Sequence, residues 1–347
     1  MNTLPGALEP AAWRLCIAPM MQRTDRHFRY LARLLSPHAR LYTEMINTGA
    51  ILYGQRERFL AHHPDERPLA LQLGGSDPDA LASCAGIAVE YGYAEINLNC
   101  GCPSERVQSG AFGACLMRDP QLVARCIEGL TGGAASQATV SVKTRLGVDE
   151  LYSYAYFSDF IGTLSDAGCR VFHVHARKAW LQGLSPRENR EIPPLEHAWV
   201  HRLKREYPHL VVITNGGIDN PAAACAQLDA VDGVMVGRHA YAVPFDLVAF
   251  DAALFGGDTA PPTRAEVVDR YIAYAAVERA NGTPLRRLSR HLLNLYRGAA
   301  GARHWRRLLT EHAMSDDAQT SAIRRALPDG TGRDRERAAQ ARVSSTG

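Results

Sequence analysis

The segment INLNCGCPSERVQSGAFGACLM (96–117) runs from an apolar alternation straight into a glycine-rich loop that carries Cys100 and Cys102. A CxC pair could bind metal, but the loop supplies no further ligand pair, so no metal centre is expected. A disulfide between the two would be strained. What remains is a loop thiol, with Pro103 fixing the backbone behind Cys102. Thiols in water titrate near ~8.5, so at neutral pH one can hand a proton to a developing carbanion. Gln72, Lys143 and His175 lie at or near the ends of three other apolar runs, and the glycine turns Asn215-Gly216-Gly217 and Gly237-Arg238 end two more. Backbone N–H groups at Gly216, Gly217 and Gly237 can approach a phosphate closely, and Arg238 adds charge. Together with Lys143 and His175 these turns suggest a phosphorylated cofactor. Lys143 offers a cation where a reduced flavin carries charge, at its N1–C2=O edge. Gln72 can hydrogen-bond the pyrimidine edge of such a ring, and Ala18-Pro19-Met20 can floor it.

Eight short apolar runs must position these groups: 14–20, 41–45, 68–73, 93–99, 140–145, 171–176, 210–217 and 233–238. Helix-like stretches such as 78–91 and 120–130 lie between them. Strand–helix alternation means a parallel sheet, because parallel strands need crossovers. Eight such units fit a closed α/β barrel, the (β/α)8 TIM barrel, whose chemistry sits at the C-terminal ends of the strands. A doubly wound open sheet would more usually show a GxGxxG turn after its first strand, and none is present. The period of two puts Glu95, Asn97 and Asn99 on one parity, Lys143 with Arg145, and His173 with His175. The reading therefore has polar groups from six strands converging on one rim. Past the Gly/Pro-rich 256–262 the pattern is helical only, with helices expected at 266–280, 286–297, 303–313 and 316–327. The expected organisation is a catalytic barrel over 1–255, a small all-helical domain over 262–328 and a disordered tail over 329–347.

Apolar residues make up 46% of the 347 and charged residues 22%, which excludes wholesale disorder. No window reaches the ~18 apolar residues that span a bilayer, so no membrane association is expected. No basic, apolar leader opens the chain and the eight cysteines are scattered, so a cytoplasmic location is expected. The net charge of +3 is uneven: residues 261–347 carry sixteen Arg, no Lys and nine acidic residues, a net +7, against −4 before them. Residues 284–307 hold seven arginines and no acid. Helical spacing puts Arg286, Arg290 and Arg297 on one face, and repeats in Arg303, Arg306 and Arg307. The strand-six loop adds Arg177, Lys178, Arg187 and Arg190. Such a surface suits a polyanion bound by its phosphates.

These residues resemble a known family, the tRNA-dihydrouridine synthases, and among them the A-type members. The likeness is carried by APM (18–20), TDRHFR (24–29), YTEM (42–45), LQLGG (71–75), INLNCGCPS (96–104), GACLM (113–117), VKTRLGVD (142–149), HARKAWLQGLSPRENREIPPL (175–195), TNGGI (214–218), VMVGRHAY (234–241) and GARHWRR (301–307). It spans roughly residues 10–325. Met21-Gln22-Arg23 departs from the family, whose members often carry a tryptophan before TDRH, and Cys100 stands where they often carry an apolar residue.

The resemblance implies a barrel holding FMN, a helical tRNA-binding domain, and reduction of the C5=C6 bond of a D-loop uridine at position 20 and possibly 20a, with NADPH or NADH as reductant. The family's GCP cysteine is Cys102. Hydride addition at C6 leaves an enolate centred on C5, and Cys102 would protonate it while Asn99 orients the base. Extruding the base from folded tRNA costs a few kcal/mol, which contacts from Arg187, Arg190, Arg303 and Arg306 would offset. No obligate protein partner is implied. Two competing readings are an FMN barrel acting on a free pyrimidine or related enone, and a non-enzymatic RNA-binding protein with a relic barrel. The Arg-rich helical region argues against the first, and the set Gln72, Cys102, Lys143 and His175 against the second.

Overall fold

The computed structural model describes residues 8–256, 260–313 and 319–328. The tail read as disordered, 329–347, lies outside them. Each apolar run is a strand: β1 (Leu15–Ile17), β2 (Arg40–Asn47), β3 (Leu69–Gly74), β4 (Glu95–Cys100), β5 (Thr139–Arg145), β6 (Val171–His175), β7 (Val211–Asn215) and β8 (Gly233–Val236). They pair in chain order, all parallel, and β1 closes on β8. The crossover helices start where the sequence can cap them. Asp77, Asp119, Ser153 and Asn220 each turn a side-chain oxygen onto the first N–H groups of Pro78–Glu90, Pro120–Ala134, Tyr154–Asp166 and Pro221–Leu228, and a cap of this kind contributes about 1 kcal/mol.

Strand alternation sets the two faces. Cys16, Tyr42, Ala70, Val171, Val211, Ile213 and Met235 form one cluster with Trp13 and Ala18. The opposite parity, including Leu71, Ile96, Leu98, Val142, Phe172, Val174, Val212 and Val234, is fully buried as well. Burial on both faces is what a sheet lined by helices demands, and each such side chain contributes roughly 1.5–3 kcal/mol. A register slip of one residue would exchange these sets, so the pairings Gln72↔Asn97, Asn99↔Lys143, Arg145↔His175 and His175↔Asn215 are strongly specified.

The chain divides into two compact units. One is Met1–Thr24 with Ala39–Gly237, and the other is Asp25–His38 with Arg238–Gly347. The boundaries fall before the helix Arg26–Leu35 and directly after β8, whereas the sequence reading placed its linker at 256–262. In the second unit Thr263 and Glu266 form a capping box on the helix Arg264–Ala280. The helix expected at 286–297 is shorter: Leu285–Ser289 is helical and turns follow. Side chains take the carbonyls a longer helix would use. Tyr271, Trp305 and Arg264 donate to the carbonyls of Leu288, Leu292 and Leu295. Arg286, Arg290 and Arg297 thus do not share one helix face. The helix Ala302–His312 matches expectation, and that expected at 316–327 is confined, among the described residues, to Ser321–Arg325.

Candidate active site

The residues of one parity separate by depth in the barrel. Glu95 and His173, read from sequence as rim groups, are fully buried beside Arg40 and form part of its floor. Parity alone could not show this, because Glu95 opens its strand while Asn99 lies near the end of it. Burial opposes ionisation of Glu95, but hydrogen bonds from His173 and Ser141 and the charge of Arg40 hold its carboxyl down to about 2. Burial lowers His173, so it serves as a neutral donor to that carboxylate.

At the C-terminal ends the remaining groups meet. Gln72, nearly fully buried, donates from Nε2 to Asn97 Oδ1 at 2.7 Å and accepts from Asn99 Nδ2 at 2.9 Å. Asn99 Oδ1 in turn accepts from the backbone N–H of Gly101 (3.2 Å) and of Cys102 (3.0 Å). Asn99, expected to orient a substrate base, therefore has its oxygen occupied in shaping the cysteine loop. Cys102 is partly exposed, with Ser104 Oγ 3.5 Å from its sulfur. Cys100 points the other way into the core, where burial pushes its thiol well up. The two share a parity and separate only because Cys100 ends β4 while Cys102 lies past the strand, in the loop that Asn99 shapes.

Lys143 Nζ donates to Asn215 Oδ1 at 3.2 Å, and Asn215 Nδ2 donates to the Met235 carbonyl at 2.7 Å. Burial, then the Arg145 guanidinium, brings the Lys143 ammonium down to about 7, while Cys102 pulls the other way. Burial also holds His175 well below its usual value, reinforced by Arg145, Lys143, Arg177 and Arg190, and leaves the ring neutral. The four charges that bear most on His175 are all cations. Gly216, at φ +116°, lies against this ring: a Cβ there would stand 2.9 Å from His175 Cδ2 and 2.8 Å from Leu195. At Gly237 a Cβ would meet only Ala18, at 3.7 Å. The protein's own packing leaves that space open, and it suits the close approach of a phosphate to backbone. Ala18 is buried, and Pro19 and Met20 half-buried. The donor set, the cation excess and the open glycine turn fit an anionic, ring-bearing cofactor.

The structure places the expected arginines in different settings. Arg238 is exposed, opens the short helix Arg238–Ala242 and belongs to the second unit. Arg187 is exposed and pairs with Glu191 at 3.5 Å, whereas Arg190 is half-buried. Arg303 and Arg306 are exposed and line one depression with Arg307, Thr310 and Glu311. Arg290 pairs with Asp25, an acid far away in sequence.

Arg145, Asn189 and Gln108 organise the loops and received no role from sequence. Arg145, buried, donates to the carbonyls of Gly101, Lys178 and Asn189. Asn189 closes the strand-six loop on Trp180 N and on the carbonyls of Trp180 and Leu184. Gln108 Nε2 ties the Pro103 carbonyl to that of Leu181. The inward parity of Arg145 was the one available signal; loop clamps such as Asn189 and Gln108 have no periodicity to betray them.

Residues 16–328 match the dihydrouridine synthase (Dus) family. The tRNA-dihydrouridine(20/20a) synthase of Salmonella typhimurium (strain LT2) is 50% identical over 317 residues, covering 91% of this chain and 95% of that protein. The protein of the same name from Escherichia coli (strain K12) is 50% identical over 315 residues, covering 90% of each chain. That of Vibrio cholerae is 48% identical over 315 residues, covering 90% of this chain and 95% of its own.

Proposed function

The chain belongs to the dihydrouridine synthase family, flavin-dependent oxidoreductases that reduce uridine to dihydrouridine in tRNA, and from that premise we propose that it binds FMN, is reduced by NADPH and acts on D-loop uridine 20 and its neighbour 20a. The position follows the name its relatives carry. The observation that supports the cofactor reading is the concentration of cations around His175 at the barrel mouth.

FMN, when bound, supplies the hydride that adds at C6 of uracil. The N–H groups of Gly216, Gly217 and Gly237 would hold its phosphate, with Arg238 adding charge. Lys143, His175 and Asn215 would hold the N1–C2=O side of the ring, Gln72 would hydrogen-bond the pyrimidine edge, and Ala18, Pro19 and Met20 would floor it. Cys102 gives its S–H proton to C5 of the substrate and is left as thiolate. The thiol recovers its proton from solvent before the next turnover. Residues 1–255 are the catalytic segment and 262–328 the tRNA-binding one, with Arg187, Arg190, Arg303 and Arg306 on tRNA phosphates. The enzyme works in the cytoplasm, and neither a metal nor a protein partner enters the reaction.

The purified protein should be yellow, and the chromophore released by acid should be FMN. Incubated with NADPH and unmodified tRNA, it should place dihydrouridine at positions 20 and 20a. A colourless protein, release of FAD, or reduction at other positions only would overturn the reading.

A further inference from the structure

The Cys102 loop and the buried carboxylate of Glu95 are joined by an unbroken file of hydrogen bonds, every donor pointing the same way. Gly101 and Cys102 N–H donate to Asn99 Oδ1, Asn99 Nδ2 to Gln72 Oε1, and Gln72 Nε2 to Asn97 Oδ1. Asn97 Nδ2 donates to Ser141 Oγ at 2.7 Å, and Ser141 Oγ–H donates to Glu95 Oε1. The direction is forced from both ends. Backbone N–H groups can only donate and a carboxylate can only accept, so each amide between them has one permitted orientation. The anchor itself is saturated: Trp13 Nε1 (2.8 Å) and Arg40 (3.2 Å) hold Oε2, while Tyr42 (2.9 Å) and His173 (3.2 Å) join Ser141 on Oε1. Asn97, Ser141 and Glu95 are completely buried, so water cannot replace a missing link at little cost.

We infer that Glu95, Ser141 and Asn97 are positioning residues for the reaction: their polarised chain fixes the orientation of Gln72 and Asn99 and thereby holds the Cys102 loop in its reactive place. None of the three touches a reacting atom. With Ser141 removed, Asn97 Nδ2 is left as a buried donor without its acceptor, and only the loop's own N–H groups still set the direction of the file. Asn97 then shifts to satisfy that donor, Gln72 and Asn99 follow it, and the loop that Asn99 holds loosens. The functional meaning rests on the reading of Cys102 as the proton donor, while the geometry of the chain does not.

The test is the rate at which iodoacetamide alkylates individual cysteines in the purified, flavin-loaded protein, mapped by peptide mass spectrometry. Exposed Cys225 is the internal standard, and buried Cys100 reports global opening. Ser141→Ala should raise Cys102 labelling at least threefold relative to Cys225, with Cys100 unlabelled. Ser141→Thr, which keeps the hydroxyl, should label Cys102 as the unsubstituted protein does. Unchanged Cys102 labelling in Ser141→Ala, or Cys100 labelled in step with Cys102, would overturn the inference. In the same samples Ser141→Ala should slow uridine reduction about tenfold while flavin reduction by NADPH stays within twofold. If Cys102 labelling rises as expected but uridine reduction is untouched, the relay stands and Cys102 is not the acid.

Discussion

The barrel mouth and the C-terminal helices are both rich in positive charge, but their cations are held in opposite ways. At the mouth Lys143 and Arg145 are enclosed by protein beside the neutral His175 ring, and burial together with repulsion from neighbouring cations makes each reluctant to be charged. That is a site charged against its own preference, which an anion would relieve. Among the helices, Arg303 and Arg306 lie exposed on Ala302–His312, where solvent screens them. Arg290, next to them in sequence terms, is already committed to Asp25. Equal charge in two stretches of sequence thus has two meanings. In the proposed function the enclosed set would select one small anionic group with fixed geometry, and the exposed set would hold an extended polyanion loosely and with strong dependence on salt.

The sharpest break in that comparison is at Cys102. Cys102→Ala should cut uridine reduction by about 10²–10⁴, the usual worth of a positioned general acid, with flavin content and flavin reduction unchanged. Cys100→Ala, in the core at the end of β4, should alter activity less than threefold. Single-turnover reduction of tRNA by the pre-reduced enzyme checks both, and the reverse ranking would move the acid to Cys100.

Next comes the enclosed charge at Lys143. Burial brings its ammonium down to about 7, so it is largely protonated at pH 6 and largely neutral at pH 8. The electron-rich N1–C2=O edge accepts a hydrogen bond from the charged ammonium and favours it, so binding at pH 8 should take up a proton that binding at pH 6 does not. Calorimetry of FMN binding to the flavin-stripped protein, in two buffers of different ionisation enthalpy, reads that uptake directly. Lys143→Met should weaken binding and abolish the pH 8 proton uptake. Equal uptake in the variant would place the proton on another group.

The smallest effects separate a structural arginine from exposed ones. Asp25 caps Arg26–Leu35 through the N–H groups of His27 and Phe28 and meets Arg290 and His291. Its burial would raise the carboxyl, but His291 and these N–H bonds hold it well below the usual carboxylate range. Its stabilisation is therefore complete above pH ~4 and is lost progressively as the pH falls below that. Asp25→Ala should destabilise the protein by about 2–4 kcal/mol at pH 7 and by less at pH 3. Arg286→Ala should leave the thermal midpoint within about a degree. Thermal unfolding at the two pH values distinguishes them.

Much of this was legible before any coordinates. The eight apolar runs, their spacing and the parity of their polar members led to a closed barrel with Gln72, Lys143, His175 and the glycine turns at one end, because strand periodicity is written locally. Depth was not written there. Glu95 and His173 share the parity of the rim residues and yet form the barrel floor. Nor was pairing over long separations: the stretch 284–307 holds no acid, but Asp25 neutralises Arg290 from far upstream. The shortening of the helix at 286–297 had the same origin, since Tyr271, Trp305 and Arg264 reach its carbonyls from elsewhere in the chain. Sequence pattern reports which face a residue occupies; what it meets across that face is a property of the folded chain.

The central claim, that enclosed cations serve the chemistry while exposed ones hold the tRNA, is tested most directly by Arg303→Ala/Arg306→Ala. The measurement is tRNA affinity at two salt concentrations, alongside the single-turnover rate of uridine reduction at saturating tRNA. The account predicts affinity about tenfold weaker at low salt, a shallower salt slope with two phosphate contacts gone, and an unchanged rate once tRNA is bound. Unchanged affinity and slope, or a rate that falls at saturating tRNA, would contradict it.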